Sequence, residues 1–140
     1  MKVTVFKITL MLAVALSFTA ISAHAQSVIK RQTFVVPFEF SVSNKVLPAG
    51  EYSVSDETTV IKIRSANGKQ GVFTMPSATL LSTSKRGNSK LTFRREGDNY
   101  YLSQVWLPDG IGRQLRRPRT LGPEMAQNIS IVEIPASSIQ

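Results

Sequence analysis

The side chains best suited to acid–base chemistry are the carboxylates Glu39, Glu51, Asp56, Glu57, Glu96, Asp98, Asp109, Glu124 and Glu133. Glycoside hydrolysis needs two such groups facing each other across a cleft, one of them held protonated. Most of these acids stand at turn-like positions. Glu51 follows Pro48-Ala49-Gly50, Asp56-Glu57 precede Thr58, Glu96 and Asp98 flank Gly97, and Asp109 adjoins Gly110. Acids at turns usually cap or solvate the backbone. Glu39 alone falls mid-strand, opposite a face of phenylalanines, and no spacing selects a pair. A serine nucleophile has little support. There is no Gly-x-Ser-x-Gly elbow. Ser82-Thr83-Ser84-Lys85 has the letters of a Ser-Lys dyad but sits in a loop-like stretch. "DETT" and "SANGKQG" match neither calcium-binding nor phosphate-binding loops.

Two features point to binding instead. Tyr100, Tyr101 and Trp106 lie close together. Strict alternation puts Tyr100 and Trp106 on one face with Leu102 and Gln104, and Tyr101 on the other. The pair then anchors a core, which is the favoured reading, or forms an aromatic platform. "GIGRQLRRPR" follows, with Arg113, Arg116, Arg117 and Arg119. Its favoured reading is a soluble strand edge ended by Pro118, because charges and proline routinely blunt edges. Its alternative is a positive patch for a polyanion.

The N-terminus narrows the choice of polyanion. Lys2 and Lys7 form a positive n-region, Ile8 to Ile21 an uncharged and mostly apolar run, and Ala23-His24-Ala25 a small-x-small cleavage pattern. The run is shorter than the roughly 20 residues of a spanning helix. The pattern predicts a cleaved signal peptide helix over 1–25 and a single exported domain over 26–140, periplasmic or secreted, with an ordered core about 33–134. No transmembrane span is expected after cleavage. Removing Lys2 and Lys7 from 17 basic residues leaves 15 against 9 acids, a net +6. His24, the sole histidine, leaves as well, and the chain has no cysteine. That excludes His triads, thiolate or imidazole metal sites and disulfides. The domain must be held by core burial, for which its length suffices. Outside the cytoplasm nucleic acid is not the expected polyanion.

The elements that must position these residues are strands. "TFVVPFEFSV" puts Phe34, Val36, Phe38, Phe40 and Val42 on one face, with Pro37 marking an edge or bulge. Pro48 and Gly50 suggest a hairpin, and Asn67-Gly68 is the strongest hairpin signal in the chain. "VIKIRS" puts Lys62 and Arg64 opposite Ile61 and Ile63. Pro76 ends the following strand, and "SATLL" fits either a strand or a helical turn. "EGDN" and Pro108-Asp109-Gly110 are further turns, and "NISIVEIP" is a final strand. These elements predict an all-β fold, a small antiparallel β-barrel or β-sandwich of about seven to eight short strands. An outer-membrane barrel is disfavoured by the short strands, their outward charges and the Ile139-Gln140 ending.

As an ordered set, "VPFEFSVSNKVLPAGEYSV", "IKIRSANGK", "KLTFRREGDNYYLSQVWLPDG" and "GRQL" resemble a family of small, exported, functionally uncharacterised bacterial β proteins. The resemblance implies a signal peptide and a β domain, and supplies no catalytic residue, ligand or partner.

The expectation is therefore a non-catalytic exported domain with a binding or structural role, without cofactor or metal. Its candidate surface is Tyr101, Trp106, Arg113, Arg116, Arg117 and Arg119. Its partner would be an anionic envelope polymer, lipid headgroups or a protein, with no nucleic acid. The alternatives are a lipid- or small-ligand-binding barrel using the Phe34/Phe38/Phe40 face and, least favoured, a carboxylate-based glycan hydrolase.

Overall fold

The computed structural model describes residues 30–83, 88–118 and 128–137. The expected leader, Ser84-Lys85, Arg119 and Glu124 lie outside them. The described residues form eleven strands and no helix that could cross a membrane. The strands are β1 (Lys30–Val36), β2 (Phe40–Val42), β3 (Lys45–Leu47), β4 (Gly50–Asp56), β5 (Ile61–Ser65), β6 (Gly71–Thr74), β7 (Pro76–Leu81), β8 (Lys90–Glu96), β9 (Asn99–Trp106), β10 (Ile111–Leu115) and β11 (Ile129–Pro135). They exceed the expected seven or eight because the phenylalanine-rich run splits into β1 and β2, and Lys45–Leu47 and Pro76–Leu81 form strands of their own. One sheet has the order β1-β4-β5-β6. The other has the order β11-β8-β9-β10-β7, with β2 and β3 attached beside β9. Neither closes into a barrel.

Pro37 makes that split. The phenylalanine-rich run is not one strand. β1 pairs with β4 in the first sheet, the chain breaks over Pro37–Glu39, and β2 joins the second sheet. Proline cannot donate to a ladder, so the break falls where the chain changes partners. The alternation survives it. Phe34, Val36, Phe40 and Val42 are all buried and supply the core from both sheets. The Phe40 ring meets Tyr52 edge-on at 5.2 Å and Phe93 at 5.3 Å, knitting the two sheets together. Burying each such ring stabilises the fold by about 1.5–3 kcal/mol. The Tyr52 hydroxyl donates to the Pro48 carbonyl at 2.6 Å, and burial raises its pKa above the usual phenol value.

The first hairpin closes at Ser43-Asn44, with Ser43 at φ 54°, not at Pro48 to Gly50. Pro48-Ala49 carries the chain back from β3 to β4. Pro76 opens β7 instead of ending a strand, so "SATLL" is extended. The Asn67-Gly68 hairpin forms as expected, with Gly68 at φ 70°.

Two departures govern what faces outward. In β9 the register moves from Thr92↔Gln104 to Phe93↔Leu102, so Ser103 is an extra residue. This bulge reverses the alternation. Leu102 and Val105 both point into the core, while Tyr101 lies on the outward face with Gln104 and Trp106. The second departure is β10, which is not an edge. It lies between β9 and β7, so its arginine does not blunt an exposed ladder.

Ion pairs tie one sheet to the other. Arg113 Nε of β10 donates to Asp56 Oδ2 of β4 at 2.7 Å, with both side chains largely buried. Lys30 of β1 pairs with Asp109 in the β9–β10 turn. Burial alone would raise the Asp109 carboxyl. The Lys30 hydrogen bond, the Ile111 N–H and the Lys30 charge outweigh it and hold the carboxyl below the usual range.

Candidate functional site

A groove of about 620 Å³ opens on the outward face of the second sheet. β8, β9 and β10 build its floor. In β8, Leu91 and Phe93 are core residues, so Arg94 and Glu96 face away from the core. Tyr101 is the cross-strand partner of Arg94. Gln114 comes from β10, and Ser77 from β7 donates its hydroxyl to the Gln114 carbonyl at 3.2 Å. Past the end of β10, Arg116 and Arg117 complete the wall.

Charge in the groove is organised by one carboxylate. Glu96 is 5% exposed, and its Oε1 accepts from Arg117 Nη2 at 3.2 Å, with Arg94 Nη1 at 4.0 Å. Its Oε2 and the Arg94 Nε are both buried and make no hydrogen bond. Arg116 is exposed and, among the described residues, has no carboxylate partner. Three arginines against one carboxylate leave the groove positive.

Beside it lies a polar ladder. Trp106 Nε1 donates to Gln104 Oε1 at 3.0 Å, and Gln104 Nε2 donates to Gln114 Oε1 at 3.0 Å. The Trp106 indole lies flat over Gly112, its cross-strand partner. A Cβ there would meet three ring atoms at 2.8 Å. Trp106 is therefore a fixed outward-face residue that does not line the groove. It is not the core anchor that strict alternation predicts. Tyr100, across the bulge, turns the other way and stacks on Phe38 at 3.8 Å.

The six candidate residues thus divide. Tyr101, Arg116 and Arg117 come together. Trp106 stands beside them through Gln104 and Gln114. Arg113 points between the sheets and is committed to Asp56 and, through Nη1, to Thr79 Oγ1 at 2.7 Å. Arg119 lies outside the described residues. Glu96 was missed. Its place beside Gly97 predicts a solvated turn acid, yet its parity with Arg94 on β8 is the available signal that it faces a cationic side. Among the described residues the groove offers this single carboxylate and not the facing pair that hydrolysis requires. Glu39 is exposed at the crossing between sheets. Of the Phe34/Phe38/Phe40 face, Phe34 and Phe40 are buried in the core and Phe38 packs partly buried against it. Among the described residues no cluster of three or more Asp, Glu, His or Cys could hold a metal ion. No family model, curated protein or solved structure matches the chain.

Proposed function

We propose that this is an exported, non-catalytic β-sandwich that binds an acidic polysaccharide of the cell envelope through the Tyr101/Arg116/Arg117 groove. The observation that carries this reading is the pair of orphaned polar atoms in a cationic groove. Glu96 Oε2 can only accept and Arg94 Nε can only donate. Leaving such groups buried and unpaired costs about 1–3 kcal/mol each. Both atoms are closed to solvent, so a sugar hydroxyl reaches them when the exposed Arg117 side chain swings off Glu96, and then donates to Oε2 and accepts from Nε. The Tyr101 ring offers a stacking surface, Ser77, Ser103 and Gln114 add further polar partners, and Arg116 supplies an unneutralised charge. A lipid acyl chain would meet few apolar side chains here.

The test is retention of the protein on immobilised dextran sulfate and on neutral dextran, at low and high salt. The expected result is retention on the sulfated polymer at low salt only, weakened about tenfold by Tyr101→Ala or Arg116→Ala. Equal, negligible retention at both salts overturns the proposal.

A further inference from the structure

The opposite outward face, that of the first sheet, has a different arrangement. Cross-strand register sets four side chains in one row. Arg31 of β1 pairs with Ser55 of β4, Ser55 with Lys62 of β5, and Lys62 with Phe73 of β6. The next row outward-facing residues include Ser53 and Arg64. Both rows face away from the core, because their neighbours Phe34, Val54, Ile61 and Ile63 are buried. Ser55 is only 3% exposed, floored between the two cations. Phe73, by contrast, is 64% exposed, and the Lys62 ammonium stands 5.4 Å from its ring centre.

Two adjoining depressions of about 310 Å³ each run across this face and share Lys62, Arg64 and Gly68. The first lies over β4 and β5, and the second continues toward Phe73 with Lys69 at its rim. Among the described residues no carboxylate pairs with Arg31 or Arg64, and Lys62 has only Glu57, at 3.8 Å. Arg64 lies against the Asn67-Gly68 turn. A Cβ on Gly68 would come within 3.2 Å of Arg64 Nη2, and Gly68 has φ 70°, so the turn packs beneath the guanidinium. Like charges gathered on one face repel each other. Here Arg31 and Arg64 have no carboxylate partner among the described residues and Lys62 has only the long pair to Glu57, around serine hydroxyls and next to an exposed aromatic ring.

We infer that this face is a second binding site, for a saccharide bearing a phosphate or sulfate group. The oxyanion sits between Arg31, Lys62 and Arg64, with the Ser53 and Ser55 hydroxyls beneath it. The sugar ring extends toward Phe73. Adjacent strands are about 4.8 Å apart, so three steps from β1 to β6 give about 14 Å, room for a short oligosaccharide. The exposed aromatic distinguishes a sugar from a free anion, because an inorganic ion gains nothing from a ring face. The site stands on residues separate from the groove, and on the other side of the molecule.

The experiment follows backbone amide shifts of the protein on adding glucose 6-phosphate, inorganic phosphate or glucose. Glucose 6-phosphate is expected to perturb Ser53, Ser55, Arg64, Gly68 and Phe73. Arg31→Ala and Arg64→Ala should each weaken this response about tenfold. Phe73→Ala should reduce the affinity for glucose 6-phosphate to that for inorganic phosphate. Perturbation confined to Tyr101, Ser103 and Gln114 overturns this inference and leaves the groove standing. Perturbation confined to the first sheet supports this inference and leaves the groove to its own test on dextran sulfate. An equal response to glucose, or one untouched by Arg64→Ala, also overturns it.

Discussion

On the outward face of β8–β10, Arg94 and Arg117 converge on the buried carboxylate of Glu96. On the outward face of β1, β4, β5 and β6, Arg31 and Arg64 meet no carboxylate among the described residues. The two faces carry similar residues and use them differently. In the first case removing the acid leaves charges stranded in a partly dry place. In the second the cations stay solvated whatever their neighbours do. A paired cation therefore matters to the fold as well as to the proposed binding, whereas an unpaired one matters to that proposed binding alone.

The sharpest way to break this contrast is to remove a charge from each side. Glu96→Ala is expected to destabilise the protein by about 2–3 kcal/mol, less than a fully buried pair because Arg117 is partly solvated. Arg64→Ala should stay within about 0.5 kcal/mol of the parent. Urea unfolding followed by circular dichroism measures both, and equal losses would erase the distinction.

Gly112→Ala comes next. Its Cβ would meet the Trp106 ring at 2.8 Å, so the indole must move and the Gln104–Gln114 ladder with it. The expected loss is about 1–2 kcal/mol, with a change in tryptophan emission. Unchanged emission would mean that the ring is not seated on the strand. The corresponding change on the other face, Gly68→Ala, should disturb Arg64 and saccharide binding more than the β8–β10 face.

The smallest effect concerns the latch between the sheets. The Asp109 carboxyl is held below its usual value in the folded protein. Its contribution is therefore complete above the unfolded value, about 3.9, and is lost as pH falls through the lowered native value. The stability difference between the parent and Asp109→Asn should thus shrink below about pH 4, by a few tenths of a kcal/mol given the solvated Lys30. A difference that grows on acidification would contradict the pairing.

How much of this could be read in advance depends on parity. The β5 alternation was legible: Ile61 and Ile63 are core, and Lys62 and Arg64 face out. So were the turns at Asn67-Gly68, Gly97 and Pro108 to Gly110, where the backbone requires particular residues. The Tyr100–Trp106 face was misread because one bulge at Ser103 reverses every side chain after it, and no residue type announces a bulge. Arg113 was misread as edge protection because strand order is set by long-range pairing. Its partner Asp56 lies far away in sequence and in the other sheet. For Glu96 the outward parity was visible, but the burial comes from Arg94 and Arg117 meeting over it, and Arg117 belongs to a different strand end.

The central claim is that cations on outward faces contact an anionic polymer. Its most direct test is the salt dependence of binding to soluble dextran sulfate for the parent, Arg116→Ala and Arg64→Ala. Each neutralised contact should contribute about 0.7–0.9 to the slope of log affinity against log salt. The account predicts that each substitution lowers the slope by about that amount, and that the two together lower it additively. A slope near zero for the parent, or one that neither substitution changes, would contradict it.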